Sequence, residues 1–103
     1  MTTLSTHILD TATGEPATGV EVRLMRWAGD GWVDPTLRET GPDGRASFGE
    51  VPSGRHRLAF ETGEYGNSMF PYVHVVFDVD AERDHYHVPL LLSPYGYTTY
   101  RGS

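Results

Sequence analysis

Short segments of alternating apolar and polar residues, separated by glycine and proline, run through the whole chain. In Tyr72–Val79, for example, every second residue from Val73 to Val79 is apolar. This is the period with which successive side chains change face along a β-strand. Many short segments of this kind, with frequent turn residues between them, predict an all-β protein with two packed sheets.

About eight strands and one short helix follow from this pattern. The helix is predicted over Glu61–Met69. The predicted strands are Leu4–Asp10, Gly19–Trp27, Trp32–Thr40 with an interruption expected at Pro35, Arg45–Phe48, Arg55–Glu61, Tyr72–Val79, Tyr86–Leu92 and Tyr95–Arg101. Eight strands are enough for two packed sheets. A length of 103 residues is that of one domain, so we expect a single domain over residues 1–103.

Composition excludes several classes of protein. The chain has no cysteine, which rules out a disulfide framework and a cysteine nucleophile. Its net charge is -6 and no basic stripe is present, so a nucleic-acid partner is not expected. The N-terminus lacks the features of a secretory signal, and no apolar segment approaches the roughly 18 residues of a membrane span. We therefore expect a cytoplasmic protein that does not bind membranes.

Two predicted strands have a second face that carries histidine. One face of the strand Tyr86–Leu92 belongs to the core, through Tyr86, Val88, Leu90 and Leu92. Its opposite face consists of His85, His87, Pro89 and Leu91. On the first strand, one face consists of Ser5, His7 and Leu9. A face of this composition is not simply solvated, and it indicates a cleft or a subunit interface.

Three interpretations of His7, His85 and His87 are compatible with the residues alone. The His-x-His spacing can bind a metal ion, the rings can be hydrogen-bonded at an interface, or they can perform acid–base catalysis near neutral pH. The other two histidines, His56 and His74, are interpreted as surface positions on strands.

The residues alone indicate no functional role for Arg45 or for the C-terminus. Arg45, which follows a Pro-Asp-Gly turn, reads as a solvated cation at the start of a strand. The terminal residues read as a frayed tail.

Several segments of the chain match the motifs of one known family. They are Leu4–Asp10, Thr13–Ala17, Thr40–Arg45, Phe60–Tyr65, Phe70-Pro71 and the C-terminal HYHVPLLLSPYGYTTYRGS, residues 85–103. Through them the chain resembles, over essentially its whole length, the transthyretin-related proteins that are 5-hydroxyisourate hydrolases. The terminal Tyr-Arg-Gly-Ser motif separates these hydrolases from the transthyretin carriers.

The resemblance implies a set of site residues. The implied catalytic residues are His7, Arg45, His87 and Ser103, and the implied substrate-binding residues are His7, Arg45, Tyr100, Arg101 and Gly102. The second active-site histidine of the family matches His87 and not His85. The two histidines would activate water and transfer protons, and Arg45 would hold carbonyl oxygens. Tyr100 would orient the substrate, and Ser103 would order His87 or the water.

The resemblance also implies a fold, an assembly and a reaction. The fold is a transthyretin-like two-sheet Greek-key β-sandwich, and the assembly is a homotetramer, a dimer of dimers with sites in the channel at the dimer–dimer interface. The reaction is hydrolysis of 5-hydroxyisourate to 2-oxo-4-hydroxy-4-carboxy-5-ureidoimidazoline in urate degradation, without a metal or cofactor. Three alternatives remain at this stage: a carrier of small aromatic ligands, an adhesion sandwich without a pocket, and a metalloprotein that uses His7, His85 and His87.

Overall fold

The computed structural model describes residues 1–102, which form two β-sheets around a common core. Ser103, which the resemblance implies as a catalytic residue, lies outside the described residues. The elements within residues 1–102 are, in chain order, β1 (Thr3–Asp10), β2 (Glu15–Pro16), β3 (Glu21–Trp27), β4 (Trp32–Glu39), β5 (Arg45–Glu50), β6 (Gly54–Phe60), α1 (Thr62–Tyr65), β7 (Val73–Val79), β8 (His85–His87), β9 (Leu90–Ser93) and β10 (Gly96–Thr99).

Strand β1 is the centre of the larger sheet, which comprises six strands within the described residues. One edge of β1 pairs antiparallel with β5 and then with β2. The other edge pairs parallel with β8 and then with β9, and β10 extends the sheet beyond β9. Because β1 has neighbours along both edges, the side chains on its outward face lie in the middle of the sheet.

The smaller sheet has the order β4-β3-β6-β7, with antiparallel pairing throughout. Its inward side chains pack against those of the larger sheet, as the alternation in the sequence predicts. The apolar core contains, among others, Leu4, Ile8, Val22, Leu58, Phe60, Val73, Tyr86, Val88, Leu90 and Leu92. Burial of apolar surface between the two sheets is the main source of their stability. The prediction of an all-β sandwich is therefore confirmed.

The predicted strand Tyr86–Leu92 is interrupted, and β8 and β9 take its place. The interruption falls at Val88-Pro89, because proline has no backbone N–H to donate to β1. At this interruption, the Thr6 hydroxyl donates to the carbonyl of Val88 at 2.6 Å and so satisfies that acceptor. The predicted alternation survives, since Tyr86, Val88, Leu90 and Leu92 are all buried.

The other differences from the predicted elements are local. The helix α1 is shorter than predicted because the chain turns at Gly66, which has φ 124°. A short strand that was not predicted, β2, pairs with the end of β1. Strand β4 continues through Pro35, with a positive φ of 55° at Asp34 and a shift of register where it pairs with β3. In the described residues, no helix has the length and apolar character needed to cross a membrane.

The interpretation of His56 as a surface residue is wrong. His56 is 2% exposed because it shares the inward face of β6 with Leu58 and Phe60. Its ring stacks on Phe77 with 6.1 Å between centroids, and its Nδ1 lies 3.1 Å from the carbonyl oxygen of Gly54. Burial lowers the pKa of His56, since the charged form loses its hydration. The exposed His74 is, in contrast, at the surface as expected.

Candidate active site

His7 and Arg45 face each other across two strands of the larger sheet. His7 of β1 and Arg45 of β5 are direct register partners in the antiparallel pair. Directly opposed Cβ atoms in such a pair lie about 5 Å apart, so the two side chains emerge together. His7 is half-buried and Arg45 is exposed. Both lie on the outward surface of the larger sheet, which we call the histidine face and define by Ser5, His7, Arg45 and His87.

The turn that precedes Arg45 is pressed against His7. The Asp43 carboxylate accepts a hydrogen bond from the backbone N–H of Arg45 at 3.0 Å, which orders the turn. Gly44 adopts a positive φ of 75°, and a Cβ on it would lie 2.7 Å from the Ile8 carbonyl and 3.1 Å from Cδ2 of His7. Glycine is therefore needed here both for the backbone conformation and for the close approach to β1.

His87 reaches the same face from the other edge of β1. It ends β8 and is the register partner of Ser5 in the parallel pair. Burial lowers the pKa of the His87 ring, and the nearby charges of Arg45, His7 and His85 lower it further. The nearby backbone of Ser5 raises the pKa and partly opposes this effect. The lowered pKa favours the neutral form of His87 at neutral pH, which is the form that can accept a proton.

The hydroxyl of Ser5 connects two histidines. Its Oγ lies 2.9 Å from Nδ1 of His87 and 3.0 Å from Nε2 of His85. The second ring nitrogen of His85 lies 2.6 Å from Oγ1 of Thr3. Neither Ser5 nor Thr3 was predicted as a site residue. The signal in the sequence is that both share the outward face of β1 with His7.

The metal interpretation takes His7, His85 and His87 as ligands, and His85 is the residue to which the resemblance gives no catalytic role. In the structure, both ring nitrogens of His85 are engaged with hydroxyl groups. Within residues 1–102, no group of three His, Cys, Asp or Glu side chains is arranged to hold a metal ion.

The C-terminal tail returns to His87. The N–H of Gly102 donates to the carbonyl of His87 at 2.7 Å, and the two residues form an antiparallel bridge. Tyr100 and Arg101 line a cavity of about 380 Å³ at the open edge of the sandwich, together with Val75, Val76, Phe77, Asp78, Tyr86, Val88 and Thr99. The structure thus brings Gly102 to the histidine face, and it places Tyr100 and Arg101 beside the adjoining edge.

The histidine face combines groups suited to acid–base hydrolysis. It offers a neutral imidazole in His87, a second imidazole in His7 and a guanidinium in Arg45 that keeps its charge. A base, a proton donor and a cation that can stabilise an oxyanion are the groups needed to cleave an amide-type bond with water. The fold and this site therefore define a β-sandwich of hydrolytic type, with its chemistry on an outward sheet face.

Comparison with known proteins agrees with this class. The sequence model of the HIUase/Transthyretin family matches residues 4–102, so the chain belongs to that family. The 5-hydroxyisourate hydrolase of Salmonella typhimurium is 47% identical over 97% of this chain and 80% of its own length.

Two solved structures extend the comparison to the fold. The 5-hydroxyisourate hydrolase of Klebsiella pneumoniae matches with a TM-score of 0.82 and 40% identity, over 100% of this chain and 94% of that one. Sea bream transthyretin, solved in complex with thyroxine, matches with a TM-score of 0.86 and 31% identity, over 96% of this chain and 93% of that one. The predicted transthyretin-like sandwich is therefore confirmed.

Proposed function

We propose that this protein is an enzyme that hydrolyses 5-hydroxyisourate to 2-oxo-4-hydroxy-4-carboxy-5-ureidoimidazoline, a step of urate degradation. The observation that carries the proposal is that His7, Arg45 and His87 emerge on one sheet face from three different strands. Membership of the family and the identity to relatives named 5-hydroxyisourate hydrolase support the same substrate. The reaction uses no metal ion or organic cofactor.

The three side chains have separate roles in the proposed reaction. The oxygen of a water molecule bonds to a ring carbonyl carbon of the substrate, and neutral His87 takes a proton from that water. Arg45 stabilises the negative charge that moves onto the carbonyl oxygen. When the carbonyl re-forms, the carbon–nitrogen bond breaks and His7 supplies the proton that the leaving nitrogen needs.

The tail completes the proposed site. The backbone hydrogen bond of Gly102 holds that residue against His87. Tyr100 and Arg101, which line the adjoining cavity, contact the substrate from that side, and Tyr100 orients it through its hydroxyl group. Ser103 orders His87 or the attacking water through its hydroxyl group.

The proposed assembly is a homotetramer that places the histidine face in a channel between two dimers. The histidine face supports this proposal because its side chains are half-buried or exposed in a single copy of the chain. Apolar Leu9 and Leu91, which are register partners, lie half-buried beside it. A second copy would exclude water from the site, which strengthens the electrostatic effect of Arg45. The proposed location is the cytoplasm, and the absence of cysteine agrees with a reducing compartment.

The test is the ultraviolet absorbance of 5-hydroxyisourate generated from urate by urate oxidase, followed with and without the protein. The protein should accelerate the decay, and the His7→Ala variant should lose most of that acceleration. His74→Ala is the matched control, because His74 is an exposed histidine on β7 of the other sheet. Its activity should equal that of the wild type.

A decay at the spontaneous rate in the presence of the folded protein would overturn the proposal. The carrier function would then be tested next, by titration with small aromatic ligands. The tetramer is tested separately by light scattering coupled to size-exclusion chromatography. A monomer would overturn the proposed assembly.

A further inference from the structure

Ser5 is the one hydroxyl in the described chain shared between His85 and His87, and its chemistry constrains both rings. The Oγ atom lies 2.9 Å from Nδ1 of His87 and 3.0 Å from Nε2 of His85. A hydroxyl group has a single hydrogen, so it donates to one of these nitrogens and accepts from the other. The direction of one hydrogen bond therefore fixes the direction of the other.

One backbone carbonyl sets that direction, because a carbonyl accepts a hydrogen bond and never donates one. The Thr3 hydroxyl is directed at the carbonyl of Asp84, 3.5 Å away. Thr3 then accepts from Nδ1 of His85, 2.6 Å from its Oγ1.

These directions are mutually consistent. His87 donates from Nδ1 to Ser5, Ser5 donates to Nε2 of His85, His85 donates from Nδ1 to Thr3, and Thr3 donates to the Asp84 carbonyl. Each hydroxyl in this series donates once and accepts once. With its hydrogen on Nδ1, the neutral His87 ring has its lone pair on Nε2.

We propose that Ser5 is a positioning residue that holds neutral His87 in the tautomer with hydrogen on Nδ1, so that Nε2 is the atom that takes the proton from water. His85 is the second positioning residue, because it receives the hydrogen of Ser5. The inference rests on the proposed function for its kinetic consequence. The tautomer itself is a property of the protein without substrate.

The first measurement is therefore made without substrate. Nitrogen NMR of protein with isotope-labelled histidine distinguishes the two neutral tautomers of a ring. The signal of His87 is identified by its loss in His87→Gln. The wild type should show His87 with hydrogen on Nδ1. The Ser5→Ala variant should gain the tautomer with hydrogen on Nε2, and Ser5→Thr should retain the wild-type state because it keeps a hydroxyl group.

The matched control is Ser47→Ala. Ser47 is exposed and is the register partner of Ser5 on the opposite neighbouring strand, β5. The Ser47→Ala variant removes a hydroxyl group from the same sheet face but leaves all the hydrogen bonds between His87 and Asp84 in place. The tautomer of His87 should therefore not change. A wild-type tautomer in Ser5→Ala, or hydrogen on Nε2 in the wild type, would overturn the proposal.

The kinetic measurement separates positioning from substrate binding. Ser5→Ala should lower kcat about tenfold with KM nearly unchanged, the scale of one lost orienting hydrogen bond, and Ser5→Thr should restore it. Wild-type kcat in Ser5→Ala would refute the catalytic consequence. If the wild-type protein does not hydrolyse 5-hydroxyisourate, the proposed function fails, while the NMR measurement still decides the tautomer.

Discussion

A Cβ atom on Gly102 would lie 2.6 Å from Cδ2 of His87 and 3.3 Å from its Cγ. The backbone of Gly102 cannot easily withdraw, because its N–H donates to the His87 carbonyl at 2.7 Å. Any side chain at residue 102 must therefore displace the imidazole, the tail or both. The terminal glycine thus acts on the same ring that the proposed reaction uses as its base.

The variant Gly102→Ala should accordingly lose activity while remaining folded. A displacement of about 1 Å of a catalytic group can cost on the order of 100-fold in rate, so we expect kcat/KM to fall by about that factor. The control is Gly96→Ala, whose Cβ would meet Ser93 Oγ at an ordinary 3.6 Å. The absorbance assay and a thermal melt measure both variants. Wild-type turnover in Gly102→Ala would contradict the proposed contact.

The sequence predicted which side chains of a strand are buried better than it predicted which strands pair with one another. Alternation alone identified Tyr86, Val88, Leu90 and Leu92 as buried, because burial of one face depends on local spacing. It did not predict that Pro89 divides their strand, since that requires knowing that β1 runs alongside. His56 was misassigned for a similar reason. A pattern of apolar residues cannot identify a polar side chain that occupies a buried position.

The site was predicted from the resemblance, and its internal contacts were not. Ser5 and His87 are 82 positions apart, and their hydrogen bond depends on the parallel register of β1 and β8. His7 and Arg45 meet through the separate antiparallel register of β5. Registers of this kind are set by the whole sheet, so neither neighbour could be assigned from local spacing.

Gly44→Ala should reduce stability more than an ordinary glycine replacement. A positive φ of 75° is strained for alanine, and the new Cβ would lie 2.7 Å from the Ile8 carbonyl. We expect a loss of about 1–3 kcal/mol in the free energy of unfolding, measured by urea titration at fixed protein concentration. Gly31→Ala is the control, because a Cβ there would meet nothing within 4 Å. Equal losses in the two variants would refute the argument.

The pH dependence of catalysis should reveal the state of His87. Burial and the charges of Arg45, His7 and His85 lower its pKa, so the basic form persists below the ordinary histidine value of about 6.5. The acid limb of kcat/KM should therefore lie below about pH 6.5. Activity should rise through that limb as His87 loses its proton. An acid limb above this value would contradict the role of His87 as base.

Arg45→Gln should lower kcat/KM and also shift the pH of its acid limb. The loss of a cation that stabilises the oxyanion should lower kcat/KM by about 100-fold or more. The same loss removes one charge that lowers the pKa of His87, so the acid limb should move to higher pH. Arg55→Gln is the control, since Arg55 is paired with Asp78 on the smaller sheet. An unshifted acid limb in Arg45→Gln would show that Arg45 does not act on His87.

The buried His56 should make the fold less stable in mild acid. Its pKa is lowered in the folded protein, whereas in the unfolded chain it titrates near 6.5. Below that pH the unfolded chain binds more protons than the folded protein, so the free energy of unfolding falls as the pH falls. The contribution of His56 to the free energy of unfolding is fully present above the unfolded pKa and is lost between it and the lower folded pKa.

Urea unfolding between about pH 7.5 and about pH 5 should show this loss in the wild type and a smaller loss in His56→Leu. The pKa of the exposed His74 is lowered as well, so His74→Leu should lose a part of the slope, but a smaller part than His56→Leu. Equal slopes in the wild type and His56→Leu would mean that the burial of His56 does not control the acid stability of the fold.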